Sequence, residues 1–300
     1  MTKQMGIPAG VSASRRGFGK GFAAALLGLA LPEAVAVGPA FAFDETLFAA
    51  EIRAIKQRGK LIIGMTSFDS PPFYYARKTD GGGTALDGFD IQLAKEIARS
   101  LDVELVLNRQ AEDFNKVVEL VMSGQVDLAT SKLSLTVKRA IGVQFSHPTI
   151  ELRHALLANR VALARNANGQ PPQDVINRQF SGSIGVIADS SFVDIARQLF
   201  PSADIHQLKT WETVVDAVNA GAVDIAYRDE LEIKRIMHLR PELHLNVRSV
   251  LISDERDFIS VALPYRSEQL ANLVNVILLK RKKLNANQLL DEYADIFATT

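Results

Sequence analysis

The chain has 300 residues, of which 34 are basic and 34 are acidic, so its formal net charge is zero. This balance gives no reason to expect a nucleic acid or an anionic membrane surface as a partner. The sequence contains no cysteine, which excludes both a disulfide framework and a lipid anchor on a cysteine.

The N-terminal segment is expected to be an export signal rather than part of the fold. Residues 14–20 read SRRGFGK, which is similar to a twin-arginine motif, and a short apolar run follows. Pro32 and Glu33 end this run well short of the ~20 residues that a membrane-spanning helix needs. A small-x-small cleavage site ends at Ala42, so we expect residues 1–42 to be removed and the product to be a soluble periplasmic protein.

Strands and helices alternate along the rest of the chain. The first predicted set is strand 61–65, helix 90–100, strand 104–107, helix 113–123 and strand 126–130. The second set is strand 184–187, helix 192–199, strand 205–208, helix 212–220 and strand 224–227. Such alternation predicts an α/β fold with parallel strands and crossover helices. Between the sets, residues 161–178 are polar and contain prolines, and we expect a surface excursion there.

The loop after predicted strand 126–130 is the first candidate site. Ser131 and Ser134 lie in a hydroxyl-rich turn, Thr136 is a good N-cap, and Arg139 lies three residues inside the next helix. Hydroxyls, a helix N-terminus and an arginine all favour a carboxylate. The alternative is an ordinary capped helix with a solvated arginine.

Several motifs surround this loop in a fixed order. They are GKLIIG at 59–64, PPF at 71–73, GFDI at 88–91, the S-x-x-S-x-T-x-x-R loop at 131–139, and FSHP at 145–148. Together they resemble the polar amino-acid family of periplasmic solute-binding proteins of ABC importers. The resemblance covers the chain from about Gly59 to its end.

The resemblance implies a type II periplasmic binding fold, in which two Rossmann-like α/β lobes are joined by a hinge that the chain crosses twice. Lobe one would comprise residues 43–150 plus 256–300, and lobe two residues 151–255. Two crossings allow the lobes to close over a ligand. A monomer is expected.

The resemblance also assigns roles to individual residues. Arg139 would bind the α-carboxylate of the ligand, with Ser131 and Ser134 as further donors. Asp229 would pair with its α-ammonium group. Ser190 and Ser191 would donate to the ligand from the start of a helix, or they would only cap that helix. Phe114 would stack on the ligand. Phe73 would either line the mouth of the cleft or pack in the core.

Four residues near the predicted cleft depart from the family pattern. Lys132 replaces a small residue, and it either points inward, which would indicate a ligand with an extra acidic group, or lies in solvent. Asp189 replaces a glycine, and Arg228 stands beside Asp229, which weakens the case for an amine ligand. Ser70 replaces an aromatic residue, so that its neighbour Asp69 could face the cleft.

The expected function is therefore capture of a small amino acid or related carboxylate for a membrane permease, without catalysis. One alternative is an enzyme like the cyclohexadienyl dehydratases, which share the scaffold and need a positioned acid, for which Asp69, Asp189 or Glu230 are candidates. Another is a ligand sensor for a membrane receptor. No cofactor or metal is expected, because the five histidines have no recognised ligand spacing.

Overall fold

The computed structural model describes residues 44–79, 81–167, 176 and 179–296. The predicted signal peptide, residues 1–42, lies outside this part of the chain. The strands of the fold are β1 (Lys60–Thr66), β2 (Tyr75–Lys78), β3 (Thr84–Asp87), β4 (Glu104–Ala111), β5 (Leu128–Ala129), β6 (Val143–Asn159), β7 (Ser183–Ile187), β8 (Asp204–Leu208), β9 (Ile225–Asp229) and β10 (Val247–Pro264).

The helices are α1 (Ala50–Arg58), α2 (Phe89–Ser100), α3 (Phe114–Met122), α4 (Val137–Ala140), α5 (Arg160–Ala167), α6 (Ser191–Leu199), α7 (Trp211–Asn219), α8 (Glu230–Leu239), α9 (Glu268–Lys280) and α10 (Ala286–Glu292). Short 3-10 segments lie at Glu45–Leu47, Pro241–Leu245 and Ala294–Ile296. Among the described residues, no helix has both the length and the hydropathy that a membrane span requires.

Eight strands form one mixed sheet in the order β4-β1-β5-β10-β6-β9-β7-β8. The three strands at each end run parallel to one another, which confirms the predicted α/β class. The two long strands in the middle, β6 and β10, form an antiparallel ribbon. Each parallel triplet joins one side of this ribbon, so the ribbon connects the two halves of the molecule.

The hydrophobic core is divided in the same way. Two buried clusters draw their residues from positions 52–152, from the last part of β10 and from the C-terminal helices, with Leu231 as a single contribution from α8. Two other clusters lie entirely between Ala155 and Ile252. Each half therefore buries its own apolar surface, which is what makes it a lobe.

The prediction of a surface excursion over residues 161–178 is wrong for its first part. Helix α5 occupies Arg160–Ala167, and Ala162 and Leu163 are buried. The local signal for this helix is Asn159, whose side-chain oxygen accepts hydrogen bonds from the backbone N–H groups of Val161 and Ala162 at 3.0 and 3.1 Å. An asparagine in this position caps a helix start.

Candidate functional site

The loop between β5 and α4 is tied to the ends of two strands. The Ser131 hydroxyl accepts a hydrogen bond from the backbone N–H of Thr66, at the end of β1, at 3.2 Å. It donates to the Tyr74 hydroxyl at 3.1 Å. Because parallel strands end at the same edge of the sheet, this loop lies where ligands bind in open α/β sheets.

Helix α4 is a single turn that positions Arg139. Thr136 adopts an extended conformation, and its side chain accepts a hydrogen bond from the backbone N–H of Arg139, which confirms the predicted N-cap. A helix of four residues has only a small dipole, so the attraction for anions at this loop comes chiefly from the arginine itself.

The Arg139 guanidinium is buried among neutral partners. The residue is 7% exposed, and it donates to the Ser134 carbonyl at 3.1 Å and to the Asn115 side-chain oxygen at 3.3 Å. It forms no ion pair with any residue in the described ranges of the chain. Burial lowers the pKa of this guanidinium below its ordinary value. A buried cation with only neutral hydrogen-bond partners favours an incoming anion.

Two serines and an aspartate form a hydrogen-bonded chain across the cleft. The Ser191 hydroxyl, at the start of α6, donates to the Ser134 hydroxyl at 2.9 Å, and Ser134 donates to the Asp257 carboxylate at 3.1 Å. Asp257 is 3% exposed, and burial together with the nearby charge of Asp229 raises its pKa to about 6. Asp257 belongs to no sequence motif and was therefore not predicted as a site residue, although it lies at the predicted second crossing between the lobes.

Lys132 lies inside the cleft, so the solvent-exposed alternative is excluded. Its φ angle is +48°, a left-handed conformation that is uncommon for a residue with a side chain. The backbone N–H donates to Asp90 at 2.8 Å. The side chain is 2% exposed, and its ammonium lies 2.8 Å from the Glu232 carboxylate and 3.0 Å from that of Asp229. The same ammonium lies 5.0 Å above the centre of the Phe73 ring.

The two oxygens of Asp229 have different partners. One accepts a hydrogen bond from the backbone N–H of Glu232 at 3.0 Å and thereby caps α8. The other lies 3.0 Å from the Lys132 ammonium, but it is buried and accepts no hydrogen bond from any described residue. Glu232 also pairs with Arg235 at 3.0 Å. Burial alone would raise the pKa of Glu232, but the charges of Arg235 and Lys132 outweigh it and hold that pKa well below its usual range.

Arg228 lies in a cage of aromatic rings. Its guanidinium carbon is 5.2 Å from the centre of the Phe192 ring and 6.0 Å from those of Phe114 and Trp211. The Asp229 carboxylate lies 3.6 Å from Nε, which is too long for a hydrogen bond. Nε is buried and has no hydrogen-bond partner among the described residues. Phe114 therefore faces this arginine, and its other neighbour is Phe68, edge to face at 5.6 Å.

The remaining predicted residues lie around this cluster or outside it. Ser190 occupies the N-cap position of α6, but its hydroxyl donates to the Ile187 carbonyl at 2.7 Å instead of capping the helix. Asp189 has φ +56°, so it keeps a backbone conformation that glycine favours. Asp69 is not brought to the cluster, because its carboxylate pairs with Arg109 at 2.8 Å on an exposed surface.

A groove of about 900 Å³ runs beside Arg139. Thr136 and Arg139 line it from one lobe, and Ser190, Ser191 and Asp194 line it from the other. The groove therefore lies between the two lobes and reaches the buried cation.

The two-lobed α/β fold with a polar cleft is that of the type II periplasmic binding proteins. The model of the bacterial extracellular solute-binding proteins, family 3, matches residues 61–293, and the chain belongs to this family.

Relatives match the chain over different lengths. The arginine-binding extracellular protein ArtP of Bacillus subtilis is 35% identical over 101 residues, which are 34% of this chain and 36% of that protein. The membrane-bound lytic murein transglycosylase F of Saccharophagus degradans is 28% identical over 148 residues, 49% of this chain and 26% of that protein. This chain thus spans about a third or less of the length of these two relatives.

A solved structure matches over nearly its whole length. It is the amino acid ABC transporter substrate-binding protein AbpA of Streptococcus pneumoniae bound to L-arginine, with a TM-score of 0.65 and 26% identity. The match covers 82% of this chain and 97% of that one.

Proposed function

We propose that this protein captures a small solute with a carboxylate group between its two lobes and delivers it to the permease of an ABC importer. The observation that carries the proposal is Arg139, a buried cation without an ion-pair partner in the described chain. It lies beside the hydroxyls of Ser134 and Ser191, which come from opposite lobes. A carboxylate placed there would accept charge-assisted hydrogen bonds.

The proposed mechanism is closure of the lobes, with residues 43–150 plus 256–300 moving against residues 151–255. Contacts between the lobes include Ser134 with Ser191, Lys132 with Asp229, and the exposed pair Lys138 and Asp194 at 2.8 Å. A solute that touches both lobes binds the closed form better than the open form, and it therefore shifts the population toward closure.

Membership of the family and the similarity to ArtP and AbpA support a role outside the cytoplasm in amino-acid transport. We propose a periplasmic location after removal of the predicted signal peptide. We do not propose arginine, the ligand of AbpA, as the solute of this protein, because Lys132 and Arg228 already bring two cations into the cleft.

A dehydratase-like enzyme is the second candidate, and Asp257 is the observation that favours it. General acid catalysis works best when the pKa of the acid lies near the working pH. Among the acids that the sequence suggested, Glu230 has a pKa lowered to about 2, because its pairing with Arg153 and Lys234 outweighs the effect of burial. The pKa of Asp257, by contrast, is raised to about 6. Turnover of prephenate by the purified protein would establish this alternative, and a zero rate would remove it.

The test of the binding function is the Arg139→Ala variant. Purified protein is unfolded, dialysed and refolded to release any bound solute, and is then screened by thermal shift against amino acids, mono- and dicarboxylates. A solute at a hundredfold its dissociation constant adds about 2.7 kcal/mol to the free energy of unfolding. For the solute with the largest shift, Arg139→Ala is expected to weaken binding at least tenfold, since a lost charge-assisted bond is worth roughly 1.5–3 kcal/mol.

The matched control is Arg99→Ala near the end of α2. This arginine is exposed, lies outside the groove and donates to the Lys95 carbonyl of its own helix at 3.3 Å, so its loss should leave the affinity nearly unchanged. Equal affinities of the Arg139→Ala and Arg99→Ala proteins would show that the carboxylate does not bind at Arg139.

A further inference from the structure

The carboxylate of Asp229, which the resemblance assigns to a ligand ammonium group, is already paired with the ammonium of Lys132. This ammonium lies 3.0 Å from Asp229 and 2.8 Å from Glu232, and the three side chains are at most 4% exposed. The other oxygen of Asp229 caps α8. A ligand ammonium would therefore have to displace a lysine that is covalently part of the site. It would also be repelled by that lysine, because like charges in a desolvated site oppose each other strongly.

Arg228 is a second buried cation, and its N–H donors lack hydrogen-bond acceptors among the described residues. Its side chain is 6% exposed, and its guanidinium forms no hydrogen bond with any residue in the part of the chain that the structure describes. The surrounding rings offer their faces to the cation, but they cannot accept the in-plane N–H groups as a carboxylate would. Apart from the Asp229 carboxylate at 3.6 Å, which is too far for a hydrogen bond, this buried guanidinium has no acceptor among the described residues, and it therefore favours an anion that can accept its N–H groups.

Arg228 and Arg139 belong to one site rather than two. They contact consecutive residues at the start of α3, because Arg228 faces the Phe114 ring and Arg139 donates to Asn115. Asp257 lies in the electrostatic field of both. Both guanidiniums therefore lie against the first turn of α3, and we treat them as two ends of one site.

We propose that the solute is a small dicarboxylate without an ammonium group, with one carboxylate on Arg139 and the second on Arg228. This inference rests on the proposed binding function and names its substrate class. Lys132 replaces the missing ammonium group of the solute, and the aromatic cage keeps the Arg228 guanidinium in position and shields it from water.

The experiment compares acids that differ in a single group, by calorimetric titration of the refolded wild-type protein. Succinate is compared with aspartate and glutarate with glutamate, since each pair shares one carbon skeleton and differs by the ammonium group. Propionate lacks the second carboxylate, and arginine adds a cation. One dicarboxylate is expected to bind at least tenfold more tightly than its aminated counterpart and than propionate.

The role of Arg228 is tested with Arg228→Gln, which keeps a polar side chain but shortens it and removes its charge. The dicarboxylate should lose at least tenfold in affinity, while propionate should bind as it does to the wild type. Arg109→Gln, on the surface beside Asp69, is the matched control and should change neither affinity. If Arg228→Gln fails to fold, the inference is still tested by the wild-type protein, through the ratio of its affinities for succinate and aspartate and for glutarate and glutamate.

Tighter binding of aspartate, glutamate or arginine than of the dicarboxylates overturns the inference and leaves the proposed function intact. Equal binding of propionate and the dicarboxylates also overturns it. Failure of every carboxylate to bind the refolded protein contradicts the proposed function as well.

Discussion

Replacing Lys132 by methionine is expected to lower the free energy of unfolding by about 3–5 kcal/mol. Methionine fills a similar volume, but Asp229 and Glu232 would then remain buried without the ammonium that lies 3.0 and 2.8 Å from them. Removing one partner of a buried ion pair leaves an uncompensated charge in a medium that solvates it poorly. Urea unfolding followed by the fluorescence of the sole tryptophan, Trp211, measures the change.

Lys138→Met is the control for this prediction. Lys138 also pairs with an aspartate across the cleft at 2.8 Å, but both side chains are mostly exposed, so its loss should change the free energy by less than about 1 kcal/mol. In the double variant Lys132→Met/Asp229→Asn, part of the loss should be recovered, because the uncompensated charge is smaller. A Lys132→Met protein as stable as the Lys138→Met protein would show that the ion pairs of Lys132 with Asp229 and Glu232 contribute little to stability.

At pH 8 the Asp90→Asn variant is expected to be more stable than the wild type by about 4 kcal/mol. Asp90 is buried at the start of α2, and burial raises its pKa from 3.8 to about 7, against the opposing effects of the Lys132 N–H bond and the charges of Arg281 and Lys132. Ionisation of this carboxyl is therefore easier in the unfolded chain than in the fold. Asparagine keeps an oxygen to accept the Lys132 N–H and carries no charge at any pH.

The pH dependence follows from the sign of this shift. Between about pH 4 and pH 7 the folded protein holds a proton on Asp90 that the unfolded chain has released, so the wild type loses stability as the pH rises through this window. The advantage of Asp90→Asn should thus be near zero at pH 4 and reach its full size above pH 7. Urea unfolding of both proteins between pH 4 and pH 8 measures it, and a difference that does not vary with pH would contradict the assignment.

Local chemistry predicted the parts of the site that depend on neighbours in the chain. Thr136 caps α4 because its side chain reaches a backbone group three residues on. The turn at Ser131 and Ser134 was predicted from the residue types that follow β5, but their hydrogen-bond partners, Thr66 and Ser191, lie 65 and 57 positions away in the chain. The alternation of strands and helices predicted the class of the sheet.

Neighbouring residues could not predict the orientation of side chains whose partners are distant in the sequence. Lys132 turns inward because α8 brings Asp229 and Glu232 to it from a hundred positions along the chain. Asp69 turns toward Arg109, which lies on β4. Asp257 enters the site from the end of the chain that returns to lobe one, and nothing in its immediate sequence marks it.

The central ribbon of β6 and β10 contains an irregularity between the lobes. Ile252 is paired with His154 and Arg256 with Arg153, so β10 has three more residues, 253–255, than β6 at this point of the ribbon. A bulge of this kind bends a strand and increases its local twist without breaking the pairing on either side. We therefore expect the ribbon to act as a hinge that bends while its strands stay paired, and not as two flexible linkers. Both strands would bend together when one lobe rotates, so the lobes would move relative to each other in a single cooperative motion. The angle between the lobes at rest would depend on the number of inserted residues.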